Sequence, residues 1–115
     1  MTITAASREI GGVTVIDLDG RITLGEGSAL LRDIIRKNLD AGHKKIVMNL
    51  AGVAYIDSTG LGELVSAYRV AKGQGGELKL LNLNKKVSDL LQITRLYAVF
   101  DIHNNEAQAV SSFHN

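Results

Sequence analysis

Eight residues hold the side chains closest to chemistry: Tyr55-Ile56-Asp57-Ser58-Thr59-Gly60-Leu61-Gly62. A carboxylate is followed by two adjacent hydroxyls, and glycines follow at alternate positions. An apolar run reaches this stretch from Ile46, Val47, Met48 and Leu50, and helical spacing leaves it through Leu61, Leu64, Val65 and Tyr68. The stretch therefore reads as the end of a strand, a tight polar turn and the start of a helix. Such a junction presents backbone N–H groups and the positive end of a helix dipole. A hydroxyl there can cap the helix, bind an anion or carry chemistry. Capping by Ser58 or Thr59 is worth ~1 kcal/mol. It needs only one hydroxyl, however, and no capping box supports it, since Leu61 and Gly62 stand where Glu or Gln would. Gly60 and Gly62 cost about 1 kcal/mol each against alanine in a first turn and leave the approach to the hydroxyls open. Both readings of Ser58, cap and reactive group, stand at this point.

Other chemistries fit less well. The hydrolase elbow needs glycine two residues before its serine, and Ile56 stands there. Of the three histidines, His43, His103 and His114, only His103 has a nearby carboxylate, Asp101, and no two have metal-ligand spacing. Gly73-Gln74-Gly75-Gly76 lacks the Lys-Ser/Thr of a phosphate-binding loop and precedes a strand, so it reads as a turn. Asp57 with Asp17 and Asp19 could echo an aspartyl-phosphate receiver. The opening hairpin described below breaks that analogy, and the acids are not adjacent as a magnesium site would want.

Composition narrows the class further. The 115 residues are 45% hydrophobic with formal net charge +1, which fits one domain with a real core. Lys44-Lys45 and Lys85-Lys86 are short, separated pairs that read as solvated surface, so direct nucleic-acid binding is not expected. Cysteine is absent, which excludes disulfides and thiolate metal sites. Aromatic residues make up 4% and tryptophan is absent, which disfavours stacking platforms for single strands or sugars. The first residues lack the basic and apolar regions of a signal peptide, and no apolar segment approaches the ~20 residues that span a bilayer. A cytoplasmic protein without a cofactor is the expectation.

The elements that must carry the turn follow from periodicity. Ile3 to Ile10 and Val13 to Leu18 read as strands joined by Gly11-Gly12, a two-residue hairpin signal. Gly20-Arg21-Ile22-Thr23 then leaves the sheet. Leu30, Leu31, Ile34, Ile35 and Leu39 form one helix face. Lys45 to Leu50 reads as a strand with apolar residues on both faces, hence buried between layers, and a turn follows near Ala51-Gly52. A helix from about Gly60 to Lys72 presents Leu61, Leu64, Val65, Tyr68 and Ala71. Leu78 to Leu83 reads as a strand, Asn84 as the cap of a short helix with Val87, Leu90, Leu91 and Thr94, and Tyr97 to Ile102 as a last strand. Asn104 or Asn105 could cap a terminal helix that frays after Ser111. The order β-β-α-β-α-β-α-β-α predicts an α/β domain with a mixed sheet, an N-terminal antiparallel hairpin and largely parallel pairing elsewhere.

The stretch Tyr55 to Gly62 closely resembles the signature of the STAS domain, as found in bacterial anti-sigma factor antagonists. Gly20-Arg21-Ile22, Ile46 to Leu50, Gly75-Gly76-Glu77-Leu78 and Leu90 to Thr94 resemble other parts of that family in order, so the likeness runs roughly from Val13 to Ile102. The resemblance implies a single domain over residues 1–115 with helices packed mainly on one side of the sheet. It implies that Ser58 is a phosphoacceptor and that Thr23, Asp57, Ser58, Thr59, Gly60, Leu61 and Gly62 form a partner-binding surface. The implied partners are an anti-sigma factor with serine kinase activity and a serine phosphatase. The unphosphorylated form binds the anti-sigma factor and releases a sigma factor, and phosphorylation ends the binding. The domain is then a substrate and switch rather than an enzyme. The family often has aspartate where this chain has Thr23 and glycine where it has Arg95. STAS domains also serve as constitutive subunits of stress-sensing, lipid-transport or secretion-regulating assemblies, and in such a subunit Ser58 would be a plain helix cap.

Overall fold

The computed structural model describes residues 3–114. Gly11 and Gly12 connect β1 (Thr4–Ile10) and β2 (Val13–Ile22) as an antiparallel hairpin, with Ile10 opposite Val13 and Thr4 opposite Asp19. Beyond it, β3 (Lys45–Ile56), β4 (Glu77–Leu81) and β5 (Asp101–His103) add in parallel, giving the sheet order β1-β2-β3-β4-β5. The expected mixed sheet and opening hairpin are both present.

Two strands are longer than periodicity implied. β2 does not leave the sheet at Gly20, and β3 does not turn at Ala51-Gly52. The two extensions are one event, because they pair with each other: Arg21 lies opposite Tyr55 and Ile22 opposite Ile56. The ladder shifts register between Asp17 and Asp19 and again between Gly20 and Arg21. Gly20 carries the irregularity at φ 118, where a side chain would be strained. These shifts break the strict alternation that a strand reading depends on, so the sequence pattern stops short of the strand ends.

Alternation elsewhere sets the layers. Ile16, Leu18, Ile46, Met48, Leu50, Leu78 and Leu80 point to one face. There they pack against Leu31, Ile35 and Leu39 of α1 (Glu26–Asp40), Leu64 and Ala67 of α2 (Ser58–Gly73), and Val87 and Leu91 of α3 (Lys85–Ile93). Val13, Val15, Val47 and Leu81 point the other way, against Ala109 and Val110 of α4 (Glu106–Ser111). Three helices thus cover one face and a short one covers part of the other. Asn105, not Asn104, caps α4 by accepting from the Gln108 N–H, and Ser112–His114 continue as a 3-10 turn rather than fraying.

A polar row crosses the face under α4. Arg8 donates to Asp17 (Nε–Oδ2 2.6 Å) and to Glu106 of α4 (Nη1–Oε2 3.1 Å). Asn49 donates to Asp17 at 2.7 Å, and Asn82 donates to Asn49 at 3.2 Å. The hydrogen bond from Arg8 holds both carboxyls below the usual carboxylate range. The row therefore ties three strands and the turn after β4 together and fastens α4 through a charge pair. Lys79 fixes the other end of this helix, donating to Ser112 at 2.7 Å with its ammonium 4.4 Å from the Phe113 ring centroid.

The last third departs from the sequence reading in two places. β4 stops at Leu81 instead of Leu83, because Asn82 turns the chain at φ 60. Tyr97 to Ile102 is not one strand. Leu96–Ala98 forms a 3-10 turn entered through Arg95 at φ 62, and only Asp101–His103 pairs with β4. An exposed arginine in the left-handed region is strained, by about 1–2 kcal/mol. Arg95→Gly should therefore raise the unfolding midpoint, by a net ~0.5–1 kcal/mol once the extra freedom of glycine in the unfolded chain is discounted. Urea unfolding of the two proteins checks this, and a lower midpoint for Arg95→Gly would show that the arginine side chain makes a stabilising contact.

Candidate functional site

The site forms where the ends of β2 and β3 meet the start of α2. The backbones touch there: the Asp57 N–H donates to the Ile22 carbonyl at 3.2 Å. Asp57 is the N-cap of α2. Its Oδ1 accepts from the Gly60 N–H at 2.8 Å, and its Oδ2 accepts from the Leu24 N–H at 3.0 Å. One carboxylate therefore ties the loop after β2 to the first turn of α2. These bonds, Gly60 first and Leu24 second, hold the Asp57 carboxyl below the usual carboxylate range.

Of the two readings left open for Ser58, this removes the helix cap, for Thr59 as well. The reason is geometric. The residue before the first helical position carries the extended backbone of a cap, and here that residue is Asp57, at φ −99 and ψ −177. Ser58 is the first helical residue, exposed, and its hydroxyl has no hydrogen-bond partner among the described residues. Gly60 has a different role from the one the sequence implied. It is buried, and a Cβ there would lie 2.0 Å from the Ile22 carbonyl oxygen. It is needed so that α2 can sit directly on the end of β2, not to open the hydroxyls to solvent. Gly62 does face open space.

The remaining residues of the expected surface divide between inside and outside. Thr23 is half-buried in the loop after β2, and its carbonyl accepts from the Ser28 N–H at 3.0 Å. Thr59 is half-buried. Leu61 is only 5% exposed and packs in the core, so it supports the turn from beneath. Leu24, next to Thr23, is 76% exposed and projects from the loop that Asp57 holds. Sequence reasoning missed Leu24, since nothing in its spacing marks a loop leucine as outward.

A groove of about 550 Å³ runs from this turn to α3. Tyr55, Ile56 and Ser58 form one wall, and Lys86, Leu90 and Ile93 the other. Asn84 sets the position of α3 through two bonds. Its side chain accepts from the Val87 N–H at 2.9 Å, the cap foreseen from sequence, and donates to the Val53 carbonyl, which sequence could not foresee. Ile93 is 80% exposed, so the groove ends in an apolar lip. The Arg21 guanidinium lies 5.3 Å from the Tyr55 ring centroid and stiffens the near wall.

Among the described residues no histidine lies in the groove beside Ser58; His43 pairs with Asn38, and His103 lies 3.1 Å from Asp101 on β5. Asp17, a candidate receiver acid, is engaged by Arg8. Among the described residues no group of three His, Cys, Asp or Glu side chains could hold a metal ion. No described helix is long and apolar enough to cross a membrane.

Fold and site together define an α/β domain that presents the unengaged Ser58 hydroxyl beside a partly apolar groove. The family model of the STAS domain matches residues 4–109, and the chain belongs to that family. It is 27% identical over 105 residues to the anti-sigma F factor antagonist of Paenibacillus polymyxa, covering 87% of this chain and 86% of that one. Its fold matches the crystal structure of an anti-sigma factor antagonist from Mycobacterium paratuberculosis at 19% identity, with TM-score 0.87 over 99% of this chain and 96% of that one. It also matches the phosphorylated form of the Bacillus cell fate determinant SpoIIAA at 20% identity, with TM-score 0.73 over 96% of this chain and 99% of that one.

The Asp57 clamp makes a signed prediction about pH. A carboxyl with a lowered folded-state pKa contributes stability that is full above its unfolded pKa and is lost as pH falls through the folded one. Asp57→Ala should therefore lower the thermal midpoint by a few degrees at neutral pH. The gap to wild type should close as pH falls below the ordinary carboxylate range. Thermal melts from neutral to strongly acidic pH check this. A gap that stays constant with pH would mean that the charge of Asp57 contributes nothing.

Proposed function

We propose that this chain is an anti-sigma factor antagonist switched by phosphorylation of Ser58. In this reading the unphosphorylated form binds an anti-sigma factor with serine kinase activity and so releases a sigma factor. The kinase adds phosphate to Ser58, binding ends, and a serine phosphatase restores it. The protein acts in the cytoplasm as substrate and switch, with no enzymatic activity of its own. The observation that carries this reading is the division of labour between Asp57 and Ser58. Asp57 does the capping, which leaves Ser58 exposed and without structural work. The names of the relatives point the same way.

The charge and the desolvation cost of a phosphate are large enough to drive such a switch. A phosphoserine adds about −1.5 to −2 charges and three acceptor oxygens. Placed in a protein interface without compensation, such a group costs several kcal/mol, enough for a hundredfold or greater loss of affinity. No refolding is needed. The surface offered to the partner includes Thr23, Leu24, Ser58 and Gly62, with Asp57, Thr59, Gly60 and Leu61 holding it in shape.

Intact-mass spectrometry after incubation with ATP and the serine kinases of the source genome tests the assignment. One added phosphate is expected, absent in Ser58→Ala. Ser58→Asp should bind the partner at least tenfold more weakly, while Ser58→Ala binds as wild type. Because Ser58 is not the cap, Ser58→Ala should change stability by less than about 0.5 kcal/mol. Unmodified mass with every kinase, together with equal binding by all three proteins, would favour a constitutive STAS subunit of a larger assembly.

A further inference from the structure

We propose that Lys86 captures the phosphate on Ser58 across the groove, closing the groove over Tyr55, Leu90 and Ile93. The inference rests on Ser58 as the acceptor and specifies how its modification is read out. It begins from a charge problem. A phosphate on the first residue of a helix would ordinarily take the free N–H groups of the first turn. Here Asp57 already occupies the Gly60 N–H with one oxygen and the Leu24 N–H with the other. The phosphate would stand beside a carboxylate that already holds the Gly60 N–H, and that like charge calls for a cation from another element.

Lys86 is that cation. It lines the same groove as Ser58, from the first turn of α3 on the opposite wall. The other charges around the groove are accounted for. Asp89 pairs with Lys85 at 3.0 Å, and Arg21 lies over the Tyr55 ring. Lys86 is exposed and makes no ion pair among the described residues. A lysine on a flexible four-carbon stem can move its charge without moving the helix. Its stem would then lie over the apolar floor between Leu90 and Tyr55. Phosphorylation thus hides apolar surface as well as adding charge, and the unphosphorylated groove is the open one.

The test installs phosphoserine at position 58 by genetic encoding, so that no kinase is involved. The second ionisation of the phosphate is then titrated by phosphorus NMR in the wild-type background and in Lys86→Gln, Lys85→Gln and Arg21→Gln. Lys86→Gln should raise the phosphate pKa by about 0.3–0.7 unit, the range of a partly exposed ion pair. Lys85→Gln and Arg21→Gln should move it by less than half as much. In the wild-type background the methyl signals of Leu90 and Ile93 should shift as the phosphate ionises, and in Lys86→Gln they should not. An equal pKa with and without Lys86 overturns the capture, as does a larger effect of Arg21→Gln. Methyl signals indifferent to ionisation overturn the closure. All three variants alter exposed side chains, and circular dichroism checks that each remains folded. Because the phosphate is placed synthetically, a negative kinase screen would reject the proposed function while leaving this result standing, and the reverse holds equally.

Discussion

The carboxylate of Asp57 receives one N–H from the loop after β2 and one from the first turn of α2. These segments are far apart in sequence and meet only because β2 and β3 pair to their ends. A single anionic group that satisfies two otherwise orphaned donors holds them in a fixed relation. Its short reach also sets how closely the helix approaches the strand. That closeness excludes any side chain at position 60, since Gly60 lies against the Ile22 carbonyl. The same bond geometry assigns Ser58 to the first helical position and leaves its hydroxyl outside the capping arrangement. The shape of the turn and the availability of Ser58 thus have one physical origin.

The far wall depends on a similar device. Asn84 caps α3 and, through its amide N–H, hangs that helix from the Val53 carbonyl. Val53 lies in the part of β3 that extends past the register shift, so the groove exists only because the strand is long. Two side chains, Asp57 and Asn84, each cap a helix and at the same time bind a second element. An apolar floor with Ser58 on one wall and Lys86 on the other results. A negative charge added at Ser58 would change both the potential and the openness of this groove, with the fold left intact.

Much of the scaffold was legible because it rests on local rules. The Gly11-Gly12 hairpin, the amphipathic faces of α1 and α2, the Asn84 cap and the doubly apolar β3 all appear as expected. The misreadings have two causes, a long-range pairing that carried a strand past its apparent end and a left-handed turn at a residue other than glycine. Gly20 looked like the end of a strand and is instead a kink that the pairing partner tolerates. Tyr97 to Ile102 has strand composition, but Arg95 turns the chain first and leaves only Asp101–His103 to pair. Lys86 read as ordinary surface, since nothing in Lys85-Lys86 distinguishes the lysine paired with Asp89 from the one facing Ser58.

The amino-acid sequence by itself determined the α/β class, the order of the elements and the position of the polar turn at Asp57-Ser58. Those depend on periodicity and on the short-range behaviour of glycine and polar caps. Only the tertiary structure decided which residue caps α2, why position 60 must be glycine, and which lysine looks across at Ser58. Each of those turns on the distance between atoms brought together by strand pairing and helix packing, and no spacing along the chain encodes such a distance.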